Sequence, residues 1–203
     1  EPRLYRFRIL NGCNARILNL DLGGARMWQI GAEGGMWDIP VPIKRIVLAP
    51  AERADVLVDF SSFAGAMLPM KNLTPPRPVS SPAPPLTQVM QLRVGSRVTQ
   101  AGPSLIPMNL PGRAANLAGP VAMTRYVTLN EIGAGTSDWV LLLNAADFEE
   151  APTETPRVGT VEDWVYINLT GDTHPMHTHL VTCQVVGRTP FDAVAYQAAY
   201  SGR

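Results

Sequence analysis

Residues 4–10 read Leu-Tyr-Arg-Phe-Arg-Ile-Leu, and this stretch decides the fold class. Arginines alternate here with apolar side chains, which is the period-two pattern of a β-strand with one buried face. No segment has a convincing helical period, although residues 193–199 could form one or two helical turns. Other runs have strand character: residues 16–22, 43–48, 55–60, 88–94, 126–129, 140–143, 162–168 and 180–187. Short strands separated by Gly and Pro turns predict an all-β protein built as an antiparallel sandwich.

Two long stretches with little strand character suggest how the chain is divided. Residues 69–87 are rich in proline and predict a stiff, exposed loop. Residues 95–124 are rich in Gly, Pro and Ala, and they are interpreted as a linker because loops of this length are unusual within a compact domain. The sequence therefore predicts two domains, residues 1–94 and 125–203.

All three histidines of the chain lie in the window His174-Pro-Met-His177-Thr-His179. Imidazole is the commonest protein ligand for copper and zinc. In an extended segment, residues two apart point to the same side, so His177 and His179 can approach one metal site together. His174 is an odd number of residues from both and should face elsewhere. The spacing favours two metal positions served by one segment, over a chance cluster facing solvent.

Several motifs, in the right order, resemble those of one family. Residues 172–181, DTHPMHTHLV, are similar to the first histidine motif in the last cupredoxin domain of multicopper oxidases. Within that family the resemblance is to spore-coat laccases, bilirubin oxidases and phenoxazinone synthases. The other matching segments are residues 5–12, 48–60, 153–160 and 188–192. The resemblance implies a cupredoxin-like Greek-key β-sandwich fold, with residues 1–94 as part of a second domain and 125–203 as part of a third.

The resemblance also implies a chemistry. His174 would ligate a blue type 1 copper that accepts single electrons from phenols, aromatic amines or metal ions. His177 and His179 would ligate a trinuclear copper cluster that reduces dioxygen to water. The family's other ligands, including a His-Cys-His segment, have no counterpart in this sequence. The chain therefore resembles a fragment, which we expect to bind copper poorly and to be inactive alone.

Other functions remain open at this stage. The chain could be a non-catalytic copper- or zinc-binding cupredoxin module, or an interaction domain with vestigial histidines. A His-Cys-His segment further along the coding sequence would favour the oxidase. Association with further domains or another chain is also left open. By resemblance, an extracellular, periplasmic or spore-coat location would suit the complete protein.

The charge balance, the two cysteines and Asp172 give further expectations. The formal net charge is zero, so nothing indicates a nucleic acid or a membrane surface as partner. Cys13 and Cys183 are expected to be unpaired, with Cys183 as a small buried hydrophobic residue. Asp172, just before the histidine window, either orients a ligand imidazole or simply forms a turn.

Overall fold

The computed structural model describes residues 1–73, 85–103, 105–112, 117, 119–181 and 183–201, and this part contains eleven β-strands and one α-helix. The all-β prediction is confirmed. The elements are β1 (Leu4–Leu10), β2 (Leu18–Asp21), β3 (Arg26–Ala32), β4 (Gly35–Ile43), β5 (Ile46–Leu48), β6 (Arg53–Asp59), β7 (Met67–Asn72), β8 (Gln88–Arg93), β9 (Val121–Ile132), β10 (Val140–Leu143), β11 (Val161–Asn168) and α1 (Ala193–Ser201).

The chain separates into two compact units. Unit 1 contains Glu1–Ala114 and Pro175–Cys183, and unit 2 contains Ala115–His174 and Gln184–Arg203. The main division falls inside the segment expected to be a linker, and β9 begins in that segment at Val121. The boundaries 1–94, 95–124 and 125–203 stay a prediction.

Unit 1 is built from two four-stranded antiparallel sheets. Their strand orders are β1-β6-β3-β4 and β5-β2-β7-β8. One apolar core draws on both sheets: Val56 and Val58 of β6 are fully buried, and Leu20 of β2 is 1% exposed. Burying apolar side chains from two facing sheets is what stabilises a β-sandwich.

The alternation that predicted β1 is present in the structure. Tyr5, Phe7 and Ile9 pack against the core, while Arg6 and Arg8 are exposed. β1 pairs antiparallel with β6 along its whole length. The strands within the two family-like segments of unit 1, residues 5–12 and 48–60, therefore lie side by side.

Unit 2 contains a three-stranded sheet in the order β10-β9-β11. The β10–β9 pair is antiparallel, but β11 runs parallel to β9 from Val161 to Asn168. The expectation of purely antiparallel pairing in both halves is therefore wrong for this unit. A parallel pair needs a crossover connection, which the long segment between β10 and β11 supplies.

Two local predictions need correction, and a third is confirmed. Residues 180, 181 and 183–187 form no strand, because none of the described strands pairs with them, and a single extended run is not stable alone; residue 182 lies outside the described part. The proline-rich stretch begins with strand, since Pro69–Asn72 belongs to β7, while residues 74–84 lie outside the described part. The short helix expected near residue 193 is present as α1. In the described residues, no helix has the length and apolar character needed to cross a membrane.

Candidate metal centre

The histidine window follows β11 directly. Asn168 ends the strand, and residues 173–178 have no regular secondary structure. The window is thus a connection rather than the strand that the sequence suggested. His174 is assigned to unit 2, whereas Pro175–Cys183, with the other two histidines, is assigned to unit 1.

His174 is held by polar neighbours. Its Nε2 lies 2.7 Å from the Oγ1 of Thr170 and 3.4 Å from the Oε1 of Glu131. The side chains of His174 and Glu131 are 24% and 12% exposed, so both are mostly removed from solvent. No hydrogen bond to its Nδ1 is found among the described residues.

His177 and His179 stand next to each other. Their ring centroids are 4.8 Å apart, with an edge-to-face angle of 69°. Both side chains are exposed, which leaves them open to a ligand. Residues two apart place their rings on one side, as the sequence argument expected, even though the segment is not part of a sheet.

The cysteines and Asp172 take other positions. Cys13 and Cys183 are both free, as predicted, but Cys183 is exposed and not the buried hydrophobic residue that was expected. It lies outside the described strands, whereas the sequence suggested that it lies on one. The backbone oxygen of Asp172 accepts a hydrogen bond from Asn168 Nδ2 at 2.7 Å. The carboxylate beside His174 is that of Glu131.

The donor chemistry fits part of a copper centre. Imidazole nitrogens suit copper, and the His177–His179 pair offers two of them on one side of the chain. No group of three or more His, Cys, Asp or Glu side chains able to hold a metal ion occurs within the described residues. Two imidazoles leave open coordination positions, so a complete copper site needs donors from elsewhere.

Sequence reasoning missed Glu131, Thr170 and Asn168. Glu131 lies far from His174 along the chain and reaches it only because β9 and β11 pair in parallel, with Asn168 opposite Leu129. Thr170 and Asn168 precede the histidines closely and could have been considered from their spacing. Nothing in the sequence points to Glu131.

A charged cluster fixes β9 to β11 elsewhere in the same sheet. The guanidinium of Arg125 donates to Glu162 Oε2 at 2.6 Å and Oε1 at 3.2 Å, and to Glu154 Oε2 at 2.8 Å. The hydrogen bond from Arg125 lowers the pKa of Glu162 despite partial desolvation, and the same bonds raise the pKa of Arg125. These groups satisfy one another and are structural.

Comparisons with known proteins agree on one family. The family model described as multicopper oxidase matches residues 120–201. A laccase from Bacillus subtilis (strain 168) is 38% identical over 202 residues, which is 97% of this chain and 38% of that protein. A multicopper oxidase LPR1 homolog 5 from Oryza sativa subsp. japonica is 36% identical, over 95% of this chain and 32% of that protein.

A solved structure is also similar. The McoA multicopper oxidase from the hyperthermophile Aquifex aeolicus matches with a TM-score of 0.70 and 32% identity. The match covers 88% of this chain and 41% of that one. The chain thus spans between about a third and two fifths of the length of these relatives. Its β-sheets have the cupredoxin-like fold of these oxidases, and the chain belongs to the multicopper oxidase family.

Proposed function

We propose that this chain supplies three histidine ligands to the copper centres of a laccase-like oxidase. The complete protein would couple one-electron oxidation of phenols, aromatic amines or metal ions to the reduction of dioxygen to water. Family membership supports the copper chemistry. The observation that carries the proposal is the side-by-side arrangement of the His177 and His179 rings, 4.8 Å apart.

Each histidine has a distinct role in this proposal. His174 would hold the electron-accepting copper, and His177 and His179 would hold part of the oxygen-reducing cluster. Copper, when bound, supplies the one-electron redox chemistry. The chain's own part is to present imidazoles for both positions, separated only by Pro175 and Met176, which keeps the covalent route between them short.

The isolated chain should bind copper weakly and should not oxidise substrates with oxygen. The His177–His179 pair provides two donors where a stable copper site needs more. Isothermal titration with copper(II), followed by electron paramagnetic resonance, measures the binding. Oxygen uptake with a phenol as reductant measures the activity.

Matched variants make this test specific. His177→Gln with His179→Gln should abolish the copper binding, and Cys183→Ser, a change at an exposed residue with metal-binding potential, should leave it unchanged. Copper binding that survives loss of both histidines would contradict the proposal. Robust oxygen uptake by a mass-verified preparation of this chain alone would contradict the expected need for further ligands.

A non-catalytic copper- or zinc-binding module is the second candidate. It is favoured by the exposure of both imidazoles and by the lack of a third nearby donor in the described residues. Competition between zinc and copper is measured on this chain and on a longer chain that also carries the family's other ligand segments. The comparison separates the two functions. Oxygen-coupled oxidation by the longer chain would select the oxidase.

A further inference from the structure

We infer that Thr170 and Glu131 are positioning residues that hold His174 through Nε2 and leave Nδ1 as the atom presented to copper. The inference rests on the proposed function for the identity of the metal. The hydrogen-bond arrangement itself is independent of any metal. It follows from the direction of each hydrogen bond in a short chain of polar groups that starts at Asn168.

The amide of Asn168 has a fixed orientation. Its Nδ2 lies 2.7 Å from the backbone oxygen of Asp172, which can only accept a hydrogen bond. Its Oδ1 lies 3.0 Å from the backbone nitrogen of Thr170, which can only donate. Exchanging the amide nitrogen and oxygen would place the nitrogen against the Thr170 donor and the oxygen against the Asp172 acceptor. The oxygen of Asn168 must therefore point toward Thr170.

The hydroxyl of Thr170 has a single proton and two oxygen acceptors within reach, Asn168 Oδ1 and, farther away at 3.4 Å, the backbone oxygen of Asp172. Its Oγ1 lies 2.8 Å from Asn168 Oδ1, an acceptor, so the hydroxyl donates in that direction. The same Oγ1 lies 2.7 Å from His174 Nε2. Because the proton is already used, Thr170 accepts from His174, and Nε2 must carry the hydrogen.

Glu131 favours the same tautomer independently. Its Oε1 is buried and has no hydrogen-bond partner in the described part of the chain, yet it lies 3.4 Å from His174 Nε2. A carboxylate oxygen is attracted to an N–H and repelled by a nitrogen lone pair. Both neighbours therefore favour the Nε2–H form, in which the lone pair of Nδ1 is free to bind a metal. Partners of this kind fix the tautomer and ring orientation of metal-binding histidines.

Nitrogen-15 spectroscopy of the metal-free chain tests this directly. The chain has only three histidines, so His177→Gln with His179→Gln leaves His174 as the one labelled imidazole. In alkaline buffer, where free imidazole is neutral, long-range proton–nitrogen spectra distinguish a protonated nitrogen from an unprotonated one. We expect a protonated Nε2, an unprotonated Nδ1 and a slowly exchanging Nε2 proton.

Variants in this background identify what fixes the tautomer. In Thr170→Val, the nitrogen-15 chemical shifts of His174 Nδ1 and Nε2 should move toward the tautomer-averaged values that the urea-unfolded chain gives. Thr170→Ser keeps the hydroxyl and should restore the parent shifts. Glu131→Gln should move them partly in the same direction. Thr136→Val removes a hydroxyl that donates to the backbone oxygen of Gly133 and accepts from the backbone nitrogen of Asp138, and it should leave the nitrogen shifts of His174 unchanged. Backbone amide spectra establish that each variant is folded.

A protonated Nδ1 in the parent background would overturn the inference. So would unchanged nitrogen shifts in folded Thr170→Val, while unchanged shifts in Glu131→Gln would remove Glu131 from the set of positioning residues. Because these spectra need no copper, their failure leaves the proposed function intact. Failure of the copper titration would, in turn, leave the tautomer assignment intact.

Discussion

Replacing Asn11 by alanine should destabilise unit 1 severely. Asn11 is fully buried at the end of β1, in the segment YRFRILNG. Its Nδ2 donates to the backbone oxygens of Arg16 at 2.8 Å and Leu48 at 2.9 Å, and its Oδ1 accepts from the backbone nitrogen of Cys13 at 3.0 Å. Because Leu48 belongs to β5, the side chain joins the end of one sheet to a strand of the other.

The size of the effect follows from what is left behind. Each lost hydrogen bond costs about 1 kcal/mol, and a buried carbonyl left without a donor costs about 1–3 kcal/mol. Leu48 is 3% exposed, so its oxygen has no water to replace Asn11, whereas Arg16 and Cys13 are half-buried. We expect the free energy of unfolding to fall by about 4 kcal/mol in total, a large part of the roughly 5–15 kcal/mol typical of a domain.

Urea unfolding followed by circular dichroism measures this loss, and hydrogen exchange of β1 and β6 amides locates it in unit 1. Asn14→Ala is the matched control, because Asn14 is an exposed asparagine in the same loop and should change stability by less than about 0.5 kcal/mol. A folded Asn11→Ala variant within about 1 kcal/mol of the parent would show that these buried hydrogen bonds do not matter as argued.

Three further changes test other parts of the fold. Gly31→Ala places a methyl group 2.6 Å from the backbone oxygen of Gly35 at the β3–β4 bulge, and urea unfolding should show a loss of about 1–3 kcal/mol. Val58→Ala removes fully buried methyl groups from the core of unit 1 and should lower the unfolding free energy by about 2–3 kcal/mol in the same assay. The pKa of Glu162 is lowered from 4.5 by its hydrogen bond to Arg125, so its stabilising effect is present above that value and is lost as the pH falls through the lowered pKa. As the pH is lowered, the free energy of unfolding should therefore fall more steeply for the parent than for Glu162→Gln, and equal slopes would contradict this.

Strands with a strong pattern could be predicted, and those containing proline could not. β1, β10 and β11 follow from alternation or from runs of branched residues. β4 contains Pro40 and Pro42 and was missed, yet it is the edge strand of its sheet, where a missing N–H is tolerated. The physical cost of proline depends on a strand's position in the sheet, which the local sequence does not encode.

Pro69 in β7 illustrates the same point more sharply, since β7 lies between β2 and β8. The ladder with β2 involves only Lys71 and Asn72, so at Pro69 the strand has a partner on one side alone. The opposite error concerns residues 180–187, whose apolar composition indicated a strand. Without a neighbouring strand among the described residues, apolar composition alone does not produce a ladder.

The contact between His174 and Glu131 depends on the register of β9 and β11. Asn168 pairs with Leu129, and the backbone nitrogen of Leu169 still donates to the Leu129 oxygen at 3.1 Å, so the chain after β11 continues beside the last residues of β9. Side chains alternate faces along a strand, and a slip of one residue toward the start of β9 would exchange Glu131 for Asn130. A carboxylate only accepts hydrogen bonds, whereas an amide both donates and accepts. The slipped register would therefore keep a polar neighbour for His174 but would lose the contribution of Glu131 to the tautomer preference, which would then rest on Thr170 alone.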